Sequence, residues 1–387
     1  MLTFPSTTEL NDTLRRLAEV ESQDLPVLSV YLDMRAQATG GRPGERAGLV
    51  VLRDRLRQIE RTYWPRGDDY DSFKADEQRI DEFLEQEFDT AAQGLAIFAC
   101  SGIGLWEVVQ AGVPFRDSVA VGARPDLFQL ARLLDEHETA VVALVDTNSY
   151  RLFVTRTGRL EEVESRDEDS ASFQKRSLGG WSEQRYQRHI DKHIADFARE
   201  SAAAIEDLVN REDAQRLVLA GDEVALTPLS DALSQSVEKK VGEILRVDMR
   251  ASTDELQEEV REALAGLEAS SSVEVADQVI AGVRSGGLAV TGLEGTRRML
   301  EIGAVDVVVI AELPGASPEE TEFHDARDIG EQVEGLDEQE PGLLDLEVRN
   351  ELVRLASATA ARVEVVANHQ ALEKAGGVGA LLRYRPG

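Results

Sequence analysis

The chain has 387 residues, 42% of them hydrophobic, which is enough for packed cores and excludes wholesale disorder. Lys and Arg number 42 against 73 Asp and Glu, so a net charge of −31 excludes a surface that wraps nucleic acid as a whole and confines any RNA contact to a local basic island. A single cysteine, Cys100, excludes an internal disulfide framework and a cysteine-built zinc site.

The length suggests two or three domains. Residues 1–136 open with an amphipathic helix over 8–20, followed by a strand over 27–32 behind Pro26. Glycines and a proline make 36–48 a loop, carrying Arg42 and Arg46. Leu49, Leu52, Leu56 and Ile59, three and four residues apart, predict a helix. A second helix is expected over 71–88, then strands over 94–99 and 106–111 around a turn, then a helix over 125–135.

Residues 137–270 begin with strands over 140–145 and 151–156. A polar stretch over 161–177 leads to a long helix over 182–210, with Ile190, Ile194, Phe197, Ala204, Ile205 and Leu208 as its apolar positions. A buried strand over 216–220 follows. Residues 271–387 carry helices over 275–285 and 295–302 and a strand over 305–310. The acidic stretch 314–341 reads as a solvated loop. The pattern resumes with a helix over 347–358, a strand over 362–366 and an extended piece at 381–384. Strands alternating with helices predict α/β layers. No leader with a basic start and apolar core is visible, and no run of about 18 apolar residues occurs, so a cytoplasmic protein without membrane contact is expected.

The most informative stretch is 175–193, where Lys175, Arg176, Arg185, Arg188 and Lys192 stand against Glu183 and Asp191. Gly179 and Gly180 open backbone conformations closed to other residues. Trp181 then falls at a loop tip, and Arg185 and Arg188, three apart, share a helix face. An aromatic tip backed by arginines suits RNA, the ring stacking on a base and the guanidinium groups meeting phosphates. The plain alternative is a Gly-Gly turn with a packed Trp and a solvated basic helix. His189 and His193 lie four apart, but the glutamate of a metalloprotease helix is missing after the first, and no metal is expected. Gly102 and Gly104 begin a dinucleotide fingerprint that fails at Glu107, and no P-loop occurs, so no cofactor is expected. Cys100 ends an apolar strand and reads as a buried small hydrophobe.

The order Gly179-Gly180-Trp181-Ser182, with Arg185 and Arg188 behind it, resembles the GGQ loop of eukaryotic and archaeal class I peptide-chain release factors, where GGQS is followed by arginines at the same offsets. Residues 94–109 are similar to the end of that family's first domain, 135–145 with 151–160 to the start of its central domain, and 291–310 (TGLEGTRRMLEIGAVDVVVI), 352–366 and 376–384 to its third. The superfamily also holds Pelota and the Vms/ANKZF-type peptidyl-tRNA hydrolases. The resemblance implies an α/β fold of three release-factor-like domains, each a mixed sheet with packed helices. These are 1–136, 137–270 with the GGW loop and long helix, and 271–387 with an acidic insertion at about 314–341.

Three departures shape the functional expectation. Trp181 replaces the glutamine that positions water against the peptidyl-tRNA ester. An indole offers one donor and no acceptor, although the backbone N–H remains available to a developing oxyanion. An Asn-Ile-Lys-Ser loop for stop-codon reading is absent from 36–48, and no cysteine-built zinc ribbon is possible. The resemblance therefore implies a ribosome-associated factor that enters the A site in hibernation or rescue without reading stop codons. Lys175, Arg176, Trp181, Arg185, Arg188 and Lys192 would contact ribosomal RNA or tRNA, with a translational GTPase as a further partner and a monomer as the working form. Two alternatives stay open. One is a peptidyl-tRNA hydrolase whose loop (Gly179, Gly180, Trp181, Ser182, Gln184) positions water through Ser182, Gln184 or the substrate's ribose hydroxyl. The other is an acidic protein-binding scaffold.

Overall fold

The computed structural model describes residues 4–22, 25–36, 46–63, 67–167, 181–312 and 344–385. They form an α/β protein with three sheets, divided into two compact units: Met1–Glu136 with Ala269–Gly387, and His137–Glu268.

In the first unit, α1 (Thr7–Ala18) starts on a capping box: Ser6 Oγ accepts from the Glu9 N–H and the Glu9 carboxylate accepts from the Ser6 N–H at 2.8 Å. Strands β1 (Val27–Asp33), β2 (Gly94–Cys100), β3 (Leu105–Ala111) and β4 (Ser118–Gly122) form a sheet in the order β3-β2-β1-β4. Alternation along the strands sends Leu28, Val30 and Leu32 to one face and Tyr31 to the other. Helices α2 (Ala47–Tyr63) and α3 (Asp68–Gln86) cover the first face with Leu52, Leu56, Ile59, Phe73 and Ile80. On the other face, α1 and α4 (Phe128–Glu136) pack with Leu10, Leu14, Leu17 and Phe128.

The chain returns to this unit at Ala269, within α8 (Thr253–Ser285). Strands β10 (Ala289–Thr291), β11 (Val305–Ala311), β12 (Arg362–Val366) and β13 (Val378–Leu382) order as β10-β13-β11-β12, with β11 and β12 parallel. Helices α9 (Leu293–Glu301) and α10 (Leu346–Ala358) present Leu300, Leu352, Val353 and Ala356 to the core that α1 and α4 also enter. Val275, Ala276 and Val279 of α8 and Leu372 of the short α11 (Gln370–Lys374) pack on the opposite face of the sheet.

The second unit holds β5 (Ala140–Val145), β6 (Ser149–Arg156), β7 (Arg159–Asp167), β8 (Arg216–Gly221) and β9 (Val241–Leu245), in the order β7-β6-β5-β8-β9. The pairs β5–β8 and β8–β9 are parallel, and β5–β6 and β6–β7 antiparallel. Helices α5 (Trp181–Arg211) and α6 (Glu223–Ala232) cover one face, with the short α7 (Gln235–Glu238) behind them. Leu256 and Val260 of α8 cover the other. Gly221 ends β8 at φ +143°, and a Cβ there would fall 2.1 Å from the Val145 carbonyl oxygen, so no larger residue fits.

The α/β layering agrees with expectation, but the expectation of a mixed sheet in each domain holds only for the second and third. The first is antiparallel throughout, its neighbours β2–β3 joined by a short turn and β1 lying between β2 and β4. The polar stretch expected from residue 161 is, as far as Asp167, the edge strand β7. Leu160 is its one buried side chain, so no apolar alternation marked it. Cross-strand contacts from Tyr150 to Glu164 (2.7 Å) and Arg151 to Glu162 (2.5 Å) hold it instead. Helix α8 begins at Thr253, far ahead of residue 275. No described helix is long and apolar enough to cross a membrane.

Candidate RNA-binding site

Trp181 is the first residue of α5, so the helix begins immediately after the Gly-Gly pair in the sequence. Lys175, Arg176, Gly179 and Gly180 lie outside the described residues. Trp181, Ser182, Gln184 and Arg185 occupy the first two turns of the helix. At about 100° per residue, Trp181, Arg185, Arg188 and Lys192, stepping by four, three and four, fall within one narrow stripe. Gln184 sits about 60° round from Trp181 and about 4.5 Å further along the axis.

The core-facing side of α5 is set by Phe197, Ala198, Ser201, Ala202, Ile205, Leu208 and Val209, all buried. By the same register it lies on the far side of the helix from the stripe. Among the described side chains of α5, the first buried one is Phe197. Among the described side chains of residues 188–196, Arg188, Asp191, Lys192 and Asp196 are exposed and Ile190, His193, Ile194 and Ala195 half-buried.

The half of α5 from Phe197 onward is anchored at its start. Phe197 lies against Tyr150 with ring centroids 6.1 Å apart, and Glu200 pairs with Arg166 of β7. The Tyr150 hydroxyl donates to Glu164 at 2.7 Å, and burial together with that carboxylate pushes the phenol up to about 12. Sequence reasoning missed Arg199, which continues the stripe two further turns and is paired with Asp196 at 2.8 Å. Its signal was the same register, seven residues beyond Lys192.

Other sequence candidates fall elsewhere. His193 is half-buried on α5, and His189 lies on the same helix with its side chain outside the described set. Arg42 is also outside it. Arg46 is structural: its guanidinium donates to the Met34 and Thr90 carbonyls and lies 4.8 Å over the Phe88 ring, while Arg46 bridges to Ala36 and closes the base of the loop. Cys100 is fully buried, and burial pushes its thiol up, away from the reactive thiolate. Gly102 lies in the 3-10 turn Ser101–Ile103, which Gly104 ends, rather than in a nucleotide-binding loop.

The matched families cover the site. Residues 125–265 match the bacterial archaeo-eukaryotic release factor family 10, and residues 269–386 match domain 3 of eRF1. The chain belongs to the release-factor/Pelota superfamily. The two matches meet in α8, where the boundary between the compact units also falls. Among solved structures, the archaeal translation termination factor aRF1 is 18% identical, with 98% of this chain and 99% of that one covered at a TM-score of 0.26. Pelota of Archaeoglobus fulgidus is 15% identical over 99% and 94%, at 0.34. Ribosome-bound archaeal Pelota, in a model with ABCE1, is 13% identical over 97% and 95%, at 0.42. These scores are low, and membership rests on the family matches. No curated protein matches the sequence.

Proposed function

We propose that this protein is a ribosome-binding factor of the release-factor/Pelota type that occupies the A site in hibernation or rescue, without reading stop codons. Its division is 1–136, 137–270 and 271–387. The observation that carries the reading is the basic stripe of α5. It follows directly on the Gly-Gly-Trp sequence, its described members Arg188 and Lys192 are exposed, and it occurs in a chain of net charge −31. Such a stripe tracks phosphates, and the exposed N-terminal amides of a helix favour the same charge. Lys175, Arg176, Arg185, Arg188 and Lys192 contact ribosomal RNA or tRNA in this reading, and Trp181 stacks as an anchor. A translational GTPase delivers the factor, which works as a monomer. Trp181 has no side-chain acceptor with which to position water, so the peptidyl ester stays intact.

The test is co-sedimentation with 70S ribosomes carrying labelled peptidyl-tRNA, at several salt concentrations. Trp181→Ala is expected to weaken binding by about tenfold, the loss of one stacking contact, with no peptide released by either protein. Unchanged binding removes the anchor role. Peptide release that disappears in Gly180→Ala makes the protein a hydrolase instead.

A further inference from the structure

A second basic face stands on α2, and we propose that it binds the phosphate backbone of a folded RNA. The helix carries Arg53, Arg55, Arg57 and Arg61 against Asp54 and Glu60, a basic excess in a strongly acidic chain. Its core side is fixed by Leu52, Leu56 and Ile59, each no more than 3% exposed. Arg53, Arg57 and Arg61 recur every fourth residue on the other side, and all three are exposed. The row advances about 6 Å per arginine. A regular row of guanidinium groups fits a regular polyanion, because each fork can take a phosphate bidentately.

The acidic residues of α2 engage this row only weakly. Glu60 is directed to α3: its carboxylate accepts from the Tyr70 hydroxyl at 2.9 Å and lies 3.3 Å from Lys74. The Tyr70 bond and the Lys74 contact hold it below the usual carboxylate range. Asp54 lies 3.4 Å from Arg57, but both side chains are more than 60% exposed, and such a pair gives way readily to a phosphate. Arg55 is half-buried and bonded to Gln58, so it stays outside the row, as does Arg46 at the head of the helix. Val50 is the single large apolar side chain exposed among the described ones of α2. A protein interface would need aromatic or apolar anchors at its centre, so the row favours RNA over an acidic protein.

This face is separate from the α5 stripe, and the inference shares with the proposed function only the nature of the partner. The test is fluorescence anisotropy of the full chain with a short fluorescein-labelled RNA hairpin, together with ribosome co-sedimentation. The variants are Arg53→Gln/Arg57→Gln/Arg61→Gln and, in parallel, Arg188→Gln/Lys192→Gln. Glutamine keeps the helix propensity, and a melting curve confirms the fold. The α2 variant is expected to lose at least tenfold in affinity at low salt, and its log Kd against log salt slope is expected to fall by about two to three, one phosphate contact per arginine. Wild-type affinity and slope in the α2 variant, with loss in the α5 variant, overturn this inference and leave the A-site reading standing. Loss confined to the α2 variant supports the inference and removes the α5 stripe as the RNA face. If the wild type binds neither hairpin nor ribosome, both fall.

Discussion

At the residue scale the most informative group outside the RNA faces is Asp76. It sits on α3 at 1% exposure and ties that helix to the 3-10 turn after β2, its Oδ1 accepting from the Ser101 N–H at 2.8 Å and from the Ser101 hydroxyl. Its Oδ2 is buried without a hydrogen-bond partner. Burial pushes the carboxyl up, and it outweighs the two Ser101 bonds and the nearby Arg79, which pull it down. A raised folded value means that the native state holds this proton more tightly than the unfolded chain does. Asp76 therefore favours folding below the ordinary carboxylate value, and that contribution is lost as pH rises through the raised one. Asp76→Asn keeps an acceptor for Ser101 and cannot ionise. The melting temperature of the wild type relative to Asp76→Asn is expected to climb as pH drops from neutral into the carboxylate range. A difference that stays flat with pH would show that Asp76 is not titrating in that window.

At the element scale, α4 shows how one helix is completed by another. Its first amides are capped from α10: Asn350 Oδ1 accepts from the Leu127 and Phe128 N–H groups at 2.9 and 3.0 Å. Asp126 supplies a longer bond to the Phe128 N–H, and Arg349 lies 5.2 Å over the Phe128 ring. Asn350→Ala should cost about 1–2 kcal/mol, the loss of a helix cap, read as a thermal shift of a few degrees. A shift within error would mean that Asp126 caps α4 unaided. This cap was invisible in the sequence, because its acceptor and its two donors lie more than 220 residues apart. Elements with one apolar stripe were legible: α1, α2, α5 and α10 were found to within a few residues of their ends. Helix α8 was found only in its last third. It buries Leu256 and Val260 in one core and Val275, Ala276 and Val279 in another, so no single stripe runs its length. Strands β7 and β9 are sheet edges with little buried surface, and the pattern had nothing to report there. The candidate site was legible as composition and offset. What the sequence alone did not show is that the basic half of α5 has no buried side chain among its described residues.

At the scale of the molecule, the two ends of the chain form one body. Leu10, Leu14, Leu17, Phe128 and Leu134 share a core with Leu300, Val308, Leu352, Val353 and Val378. Polar contacts reinforce it: Arg116 and Arg132 both pair with Glu312, and Asp135 Oδ2 accepts from the Val365 N–H at 2.6 Å. Glu312 and Arg132 are mostly buried, so these pairs are less screened than surface ones. Cores this continuous do not open in halves. Native-state hydrogen exchange should therefore give the amides of β1 and β2 and those of β11 and β12 a common opening free energy. Leu352→Ala removes a fully buried side chain from α10 and should lower that free energy by about 2–5 kcal/mol. The decisive comparison is where the loss appears. Equal loss in β1–β2 and in β11–β12 means that the N-terminal and C-terminal parts fold and move as one. Loss confined to β11–β12, with β1–β2 protected as before, would mean that the N-terminal sheet holds itself together and that the shared core is a dispensable contact between two independent domains.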